Sequence, residues 1–479
     1  MKKFLSLVLC VLLICTVFSA CTNSSPAPES GSPGDTNSAE SFTPVSSPEG
    51  TSSEGNSVQN DPAKDGSARP LRLFVDQWAG YLGMVSYKTE EEVVEEFLER
   101  VKQQGGPTDI EVEIMPSRTE DRQTELNRIR VEMMAGAGPD VFISTSLRLY
   151  SNWNQQYQAL FQFPEQAMRR GMFLKLDEYI ENAQFMEWDK LNPVVMSAGA
   201  TENGQYLLPL EYSFPLTYFL ADDVDPYPAA TTWAEVAAGN DPALNTSMEA
   251  RYNADGYPYF YGTEFLSLTW KDLVNPDSET LLISEEDLLQ RAKEALALEE
   301  NNTTELPHFR EPMNRYLFDP TAWNMGGNSD FIEQMYQGIT YTDDLTMIPL
   351  YCDEGGAVVP VRAYAGINAA TERPEDAFFL LDVLLSEDCQ GKSMLFEGWG
   401  ETPVCDENAG VMMAPIREAY LEARSQIVSA RIVSPLDAAI ARAMAEYQEL
   451  LDSGEATEEA LTKLISNTYR EMKQMLDES

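Results

Sequence analysis

The chain has 479 residues, with 33 lysines and arginines against 78 aspartates and glutamates, which gives a formal net charge of −45 at pH 7. Because no stretch concentrates basic residues enough to neutralise phosphates, the composition excludes a nucleic-acid-binding scaffold. Hydrophobic residues make up 43% and aromatic residues 10%, which is enough to bury a core and excludes a wholly disordered acidic chain. The single histidine, His308, excludes metal sites that need a histidine pair.

The N-terminus is typical of an export signal. The positive start Met1-Lys2-Lys3 precedes an apolar run over residues 4–18, which suits a secretory signal and is too short to span a membrane. The segment Phe18-Ser19-Ala20-Cys21 resembles the lipobox of bacterial lipoproteins. This predicts a signal peptide over residues 1–20 and a lipid on Cys21, which would anchor the protein to the extracellular face of the cell membrane. The alternative is an ordinary secretory signal cleaved after Ala20.

Residues 21–69 are predicted to be the lipid anchor and a disordered stalk. From Thr22 to Arg69 the chain is dominated by serine, proline, glycine, threonine and glutamate, and its one aromatic residue is Phe42. Such a segment buries too little apolar surface to order itself. As a flexible coil it would span roughly 40 Å, enough to hold a globular body clear of the membrane.

Three cysteines remain in the body: Cys352, Cys389 and Cys405. They allow at most one disulfide, and their spacing fits no zinc or redox motif. We interpret them as mostly structural, with a bridge between Cys389 and Cys405 as the alternative. No cofactor and no metal site is predicted.

After the stalk the chain alternates strands and helices. The patterns predict strands over residues 71–75, 110–114 and 141–143, separated by a helix that Thr89 caps and a helix that Thr119 opens. This order of elements predicts a parallel sheet with helices packed on it.

Polar residues follow two of these strands. Ligands of open parallel sheets bind beyond the carboxyl ends of the strands. We therefore expect Asp76 and Trp78, after the first strand, and Ser144 and Ser146, after the third, to line a cleft.

Several segments resemble one known family. Residues 125–142, which include Ala135-Gly136-Ala137-Gly138-Pro139-Asp140, are similar to the helix, "AGxGPD" turn and strand of extracellular solute-binding proteins (family 1) that feed ABC importers for carbohydrates. Further segments agree in the same order, at residues 203–210, 364–368, 374–391 and 398–404. The resemblance spans most of the body. Asp140 itself is expected to fix its turn, since Gly-Pro-Asp is turn chemistry.

The resemblance implies an α/β fold of two lobes, the periplasmic-binding-protein-like fold, with a ligand cleft between them. The chain would cross into the second lobe over residues 207–219 and return over residues 357–368. The expected lobe boundaries are 70–209 and 363–408 for the first lobe, and 210–362 and 409–479 for the second. Helices starting at Pro374 and at Ser434-Pro435, and a last helix carrying Leu461 and Ile465, are expected to complete the lobes.

A carbohydrate cleft needs flat aromatic rings for stacking and carboxylates or amides for hydrogen bonds. The predicted ligand contacts of this kind, besides the residues at the strand ends, are Glu211, Tyr212, Trp323, Asn324 and Trp399. For each tryptophan the alternative is an indole buried in the core. For Glu211 the alternative is a solvated acid on a strand.

The resemblance implies a binding protein without catalytic residues that captures a carbohydrate, expected to be an oligosaccharide, by closure of two lobes. Its partners would be this small-molecule ligand and an ABC permease in the membrane, with the protein itself a monomer. Two alternatives stay open: the same fold binding a peptide or polyamine, or an exported carbohydrate-active enzyme with a carboxylate pair.

Overall fold

The protein's structure is a computed structural model. It describes residues 69–76, 90–115, 122–146, 159–212, 214, 216–220, 231–238, 265–300, 317–318, 345–386, 389, 402–403 and 422–478. These residues belong to one compact unit, residues 68–479. The predicted signal peptide, Cys21 and all of the predicted stalk except Arg69 lie outside the described residues. Within the described ranges, no helix is both long enough and apolar enough to cross a membrane.

The first half of the described chain alternates strands and helices. Its elements are β1 (Leu71–Asp76), α1 (Glu90–Gln103), β2 (Ile110–Met115), α2 (Arg122–Met134), β3 (Val141–Thr145), α3 (Pro164–Arg169), α4 (Asp177–Ile180), α5 (Pro193–Ser197), β4 (Ala200–Thr201), β5 (Gly204–Gln205), β6 (Leu207–Tyr212) and β7 (Leu216–Leu220).

The second half contains longer helices. Its elements are α6 (Trp233–Ala237), β8 (Val274–Asn275), β9 (Thr280–Leu281), α7 (Glu285–Glu300), β10 (Leu317–Phe318), β11 (Leu345–Pro349), β12 (Ala357–Ile367), α8 (Pro374–Leu384), β13 (Thr402–Pro403), β14 (Ile427–Ile432), α9 (Pro435–Ser453) and α10 (Glu458–Asp477).

The predicted parallel sheet is confirmed. β1 lies between β2 and β3 and pairs with both in parallel, as expected when helices connect the strands on one side. β1 and β3 each run further than predicted, to Asp76 and Thr145. The described part of α2 begins at Arg122 rather than at Thr119, which lies outside the described residues.

β12 is the central strand of a seven-stranded sheet with the order β13-β6-β12-β3-β1-β2, in which β14 also pairs with β12. Over residues 363–367 β12 runs antiparallel to β3 and β6, and over residues 357–361 it runs parallel to β14. One strand thus connects the parallel unit to the later part of the chain.

The buried apolar side chains form two clusters, which define two lobes. The first core surrounds the seven-stranded sheet and takes residues from α1, α2, α5 and α8. The second core is mainly helical and takes residues from α6, α7, α9 and α10. Trp233 and Trp270 are buried in the second core. This agrees with the alternative given above, in which a tryptophan is a core residue rather than a ligand contact.

In the described ranges, the chain passes between the cores three times. Phe214 belongs to the first core and Trp233 to the second, and β12 contributes Val358 to the second core but Val359 to the first. The third passage comes later in the chain than the expected boundary at residues 408 and 409: Ala430 of β14 lies in the first core, and Val433, just after β14, lies in the second. β14 is therefore shared between the lobes.

Two of the segments that carry the family resemblance contact each other. The Asp140 carboxylate accepts hydrogen bonds from the Arg72 backbone N–H at 2.9 Å and the Thr371 hydroxyl at 2.6 Å. The Asn368 side-chain amide donates to the Pro139 carbonyl at 3.0 Å. Asp140 is 1% exposed, so its role here is to hold the turn to the sheet, as expected.

The predicted C-terminal helices are confirmed. The side chain of Ser434 caps α9 in a capping box with Asp437. On the opposite side of Asp437, the guanidinium of Arg431 donates to the Asp437 carboxylate at 2.7 Å and to the backbone carbonyl of Trp270 at 2.9 Å. This contact joins β14, α9 and the short helix Leu266–Thr269 of the second lobe.

Candidate functional site

The strongest candidate site lies at the carboxyl edge of the first lobe's sheet. Tyr364 of β12 is the cross-strand partner of Ser144 on β3. Val75 pairs with Ile143, so the next residues along these parallel strands, Asp76 and Ser144, also lie side by side. We call Asp76, Ser144 and Tyr364 the polar row.

The same face of the sheet is apolar one step further from the edge, two residues earlier along β1 and β3 and two residues later along the antiparallel β12. There the row consists of Phe74, Phe142 and Gly366. Phe142 packs edge-to-face against Phe161 and Phe173, with ring centroids 5.5 and 6.3 Å apart. The sheet therefore changes from packed aromatic core to buried polar groups at its carboxyl edge, where parallel sheets bind ligands.

Asp76 is paired with Arg122, the first residue of the described α2. One Arg122 Nη donates to an Asp76 carboxylate oxygen at 2.8 Å, and the Asp76 side chain is fully buried. Arg122 lies on the same stripe of α2 as Leu126, Ile129 and Met133, all of which are buried. Packing of this stripe on the sheet brings the guanidinium to the carboxylate, so the pair adds no net charge to the site.

Ser144 and Tyr364 are both 0% exposed, and neither the Ser144 Oγ nor the Tyr364 Oη has a hydrogen-bond partner among the described residues. Burial raises the pKa of Tyr364, the Asp76 charge raises it further, and Arg130 opposes both. The phenol therefore stays protonated. The polar row thus offers two hydroxyls that can donate or accept beside a carboxylate whose charge is neutralised.

Three other predicted ligand residues lie close to this edge in the fold. Ser146, 7% exposed, donates from its Oγ to the Val361 carbonyl at 2.8 Å. Glu211 and Tyr212 lie on β6, and Glu211 is the cross-strand partner of Ala363. Tyr212 is fully buried in the first core. Their contacts with a ligand stay predictions.

The remaining predicted contacts lie outside the described residues. These are Trp78, Trp323, Asn324 and Trp399.

Sequence reasoning missed Arg122 and Tyr364. A signal existed for Arg122, because it occupies a position four residues before Leu126 on an otherwise apolar stripe, and a buried arginine requires a carboxylate. Tyr364 lies in a segment that carries the family resemblance, but only the register between β3 and β12 places it beside Ser144.

The second lobe contains another candidate, a cavity of about 400 Å3 beside α7. The charged residues that line it are Lys271, Asp272, Asp287, Arg291, Glu294, Asp353 and Glu354. The Arg291 guanidinium lies 4.4 Å from the centroid of the Trp270 ring and donates to the Thr269 carbonyl at 2.7 Å. Since the described lining includes none of the predicted ligand residues, the polar row remains the better candidate.

The described residues add neither a metal-binding cluster nor an exposed thiol to the site. In the part of the chain that the structure describes, no group of three or more His, Cys, Asp or Glu side chains could hold a metal ion. Cys352 and Cys389 are buried, and burial raises the pKa of the Cys352 thiol. Cys405 lies outside the described residues, so the alternative of a bridge to Cys389 stays a prediction.

No protein-family model matches the sequence, and a comparison with curated proteins gives no match. Solved structures do match the fold. An extracellular solute-binding protein family 1 member from Alicyclobacillus acidocaldarius subsp. acidocaldarius DSM 446 is 14% identical, with 86% of this chain and 100% of that chain covered and a TM-score of 0.53.

Two further structures align over a similar range. A periplasmic oligogalacturonide binding protein from Yersinia enterocolitica is 13% identical, covers 85% of this chain and 99% of its own, and has a TM-score of 0.50. A de novo designed esterase is 12% identical, with the same coverage and a TM-score of 0.50. At such identities the likeness concerns the fold alone. The chain thus has the two-lobed α/β fold of extracellular solute-binding proteins, as its sequence motifs predicted.

Proposed function

We propose that this protein is the extracellular substrate-binding component of an ABC importer and captures a carbohydrate, specifically an oligosaccharide, by closure of its two lobes. The observation that carries the proposal is the polar row, a set of buried hydrogen-bonding groups at the carboxyl edge of the first lobe's sheet. This is the edge at which ligands of such sheets bind.

The chemistry of the polar row favours a neutral ligand rich in hydroxyl groups. Ser144 and Tyr364 supply hydroxyls, which can donate to and accept from a sugar hydroxyl. The Asp76 charge is neutralised by Arg122 at 2.8 Å. A polyamine or a peptide, the alternative ligands, would gain more from an unpaired carboxylate.

We propose binding without chemistry. Hydrolysis of a glycosidic bond requires two carboxyl groups across one bond. Asp76 is the one carboxylate of the polar row, and it is engaged by Arg122. Release of reducing sugar from a bound oligosaccharide would contradict this part of the proposal.

Closure would follow from a shift between two states. β12, β14 and the chain after Phe214 connect the two cores, and they are the segments about which the lobes would rotate. A ligand that contacts both lobes shifts the equilibrium toward the closed state, which the permease would recognise.

A lipid on Cys21 would keep the protein at the extracellular face of the membrane, near its permease. In a bacterial host, the wild-type chain should incorporate labelled fatty acid and sediment with membranes. A Cys21→Ala chain should lose both properties, because the thiol that carries the lipid is gone. Labelling that persists in the Cys21→Ala chain would contradict the proposed anchor.

A thermal-shift screen tests the ligand class. Maltotriose, cellotriose and xylotriose, with spermidine and trialanine in the same plate, should separate the alternatives. A ligand at 100 times its Kd stabilises the folded state by about 2.7 kcal/mol, so we expect a clear rise in melting temperature with one oligosaccharide. A shift with spermidine or trialanine alone would contradict the carbohydrate proposal.

The ligand identified in this way also tests lobe closure. The radius of gyration from small-angle scattering should fall when that ligand is added. An unchanged radius with saturating ligand would contradict the closure model while leaving the ligand class intact.

A further inference from the structure

We infer that Ser144 and Tyr364 recognise the ligand together as a hydroxyl pair. The Ser144 Oγ and the Tyr364 Oη bind hydroxyl groups of one sugar unit of a neutral oligosaccharide. The inference rests on the proposed function. It adds to that function the residues that recognise the ligand. One of them, Tyr364, is not marked as a ligand residue by any sequence motif.

The pair is unusual in its hydrogen bonding. Both side chains are 0% exposed, and within the described part of the chain neither hydroxyl has a hydrogen-bond partner. A buried polar group without a partner costs free energy, because its hydrogen bonds to water are lost and not replaced. Two such groups as cross-strand neighbours therefore lower the stability of the unliganded protein.

Two comparable buried hydroxyls in the described part of the chain have hydrogen-bond partners. The Ser146 Oγ, two residues after Ser144, donates to the Val361 carbonyl at 2.8 Å. The Tyr351 Oη, before β12, donates to the side-chain oxygen of Gln426 at 3.1 Å. These two residues have the same side chains and similar burial, so they show what a structural serine and a structural tyrosine look like in this protein.

The position of the pair suits a ligand. Cross-strand neighbours on one face have Cβ atoms about 4.5–5.5 Å apart, so a single sugar unit can reach both hydroxyls. Asp76 lies next in the row and its charge is neutralised by Arg122. The row therefore offers donors and acceptors without net charge, which suits the adjacent hydroxyls of a neutral sugar better than an anion or an ammonium group.

Both hydroxyls are buried in this structure, so contact with a ligand requires a movement that exposes the carboxyl edge of the sheet. Binding of the sugar would then satisfy both hydroxyls and remove their cost, which couples recognition to the stability of the liganded state.

Tyr364→Phe and Ser144→Ala in the full-length chain test the inference, with Ser146→Ala and Tyr351→Phe as matched controls. Loss of an unsatisfied hydroxyl should leave the melting temperature of the unliganded protein unchanged or raised. Loss of a satisfied hydroxyl, in the controls, should lower it. For whichever of maltotriose, cellotriose and xylotriose binds the wild type, calorimetry should give a Kd about fivefold to tenfold weaker for each test variant.

The outcomes separate a failure of the hydroxyl pair from a failure of the proposed function. Tyr351 lies in the second core, so the Tyr351→Phe chain should keep the wild-type Kd. Wild-type affinity in both Tyr364→Phe and Ser144→Ala would overturn the inference and leave the proposed function standing. A fall in the melting temperature of these two variants as large as that of the controls would do the same. Binding of spermidine or trialanine that both variants weaken would keep the hydroxyl pair and overturn the carbohydrate proposal. A wild type that binds none of the five probes would overturn both.

Discussion

Replacing Asp437 by asparagine should lower the free energy of unfolding by about 3 kcal/mol, because the change removes the counter-charge of a largely buried arginine. The Asp437 side chain is 2% exposed and that of Arg431 16%, and they lie 2.7 Å apart. Asp437 also accepts from the backbone N–H and the hydroxyl of Ser434 at 3.0 and 2.8 Å, which caps α9. Urea denaturation at pH 7 measures the loss.

Asp452, near the end of α9, supplies the matched control. It is exposed and accepts one hydrogen bond from Gln448, so Asp452→Asn should change the free energy of unfolding by less than about 0.5 kcal/mol. Equal losses in the two variants would contradict the structural role assigned to Asp437.

The same contact predicts a pH dependence. Burial acts to raise the pKa of the Asp437 carboxyl, but the Arg431 charge and the hydrogen bonds from Ser434 outweigh it, and the pKa lies below its ordinary value of 3.8. A carboxyl with a lower pKa in the folded state contributes stability above its unfolded pKa and loses it as the pH falls through the folded value. Below about pH 4 the wild type should therefore lose stability more steeply than the Asp437→Asn chain.

Arg122→Met should also cost about 3 kcal/mol, because Asp76 would keep its charge in a buried position without its cation. The two side chains are 10% and 0% exposed and lie 2.8 Å apart. In the double variant Asp76→Leu with Arg122→Met, both charges are removed together. We expect it to unfold at higher urea than Arg122→Met alone, with a coupling free energy of about 2 kcal/mol in the double-mutant cycle.

Arg128→Met is the control on the same helix. The Arg128 side chain is 37% exposed and pairs with Glu125 and Glu132, so its loss should cost less than about 1 kcal/mol, as for other exposed ion pairs. Additive effects in the cycle of Asp76 and Arg122 would show that the pair is not coupled and would weaken the argument that the site is neutral.

Losses at these two sites should differ in their effect on binding. Asp437 lies in the second lobe and Asp76 in the polar row. A variant that unfolds more easily but still binds the ligand at low temperature indicates a structural role for the residue. A variant that is fully folded but has lost affinity for the ligand indicates a role in the site.

Several elements of both lobes follow from local signals. The alternating apolar residues of β2 and the capping residues before α9 and α10 specify their elements without help from distant parts of the chain. Because parallel strands end at a common edge, the placement of Asp76 and Ser144 at one edge could also be predicted. The roles of Trp78 and Trp399 stay predictions.

Which residues form the polar row could not be predicted from such local signals. Tyr364 reaches Ser144 only through the register of β12 against β3, and Arg122 reaches Asp76 only through the packing of α2 on the sheet. The passage of β14 between the two cores depends likewise on its pairing with β12.

The sequence by itself determined which elements form, the parallel order of the first sheet and the edge at which polar residues gather. These depend on the spacing of side chains along a few neighbouring residues. Only the tertiary structure decided which polar groups are paired and which are not. The Ser146 hydroxyl donates to the carbonyl of Val361, 215 residues away, while Ser144 has no partner among the described residues. The difference arises because the register of strands that are distant in the chain decides whether a buried hydroxyl is satisfied.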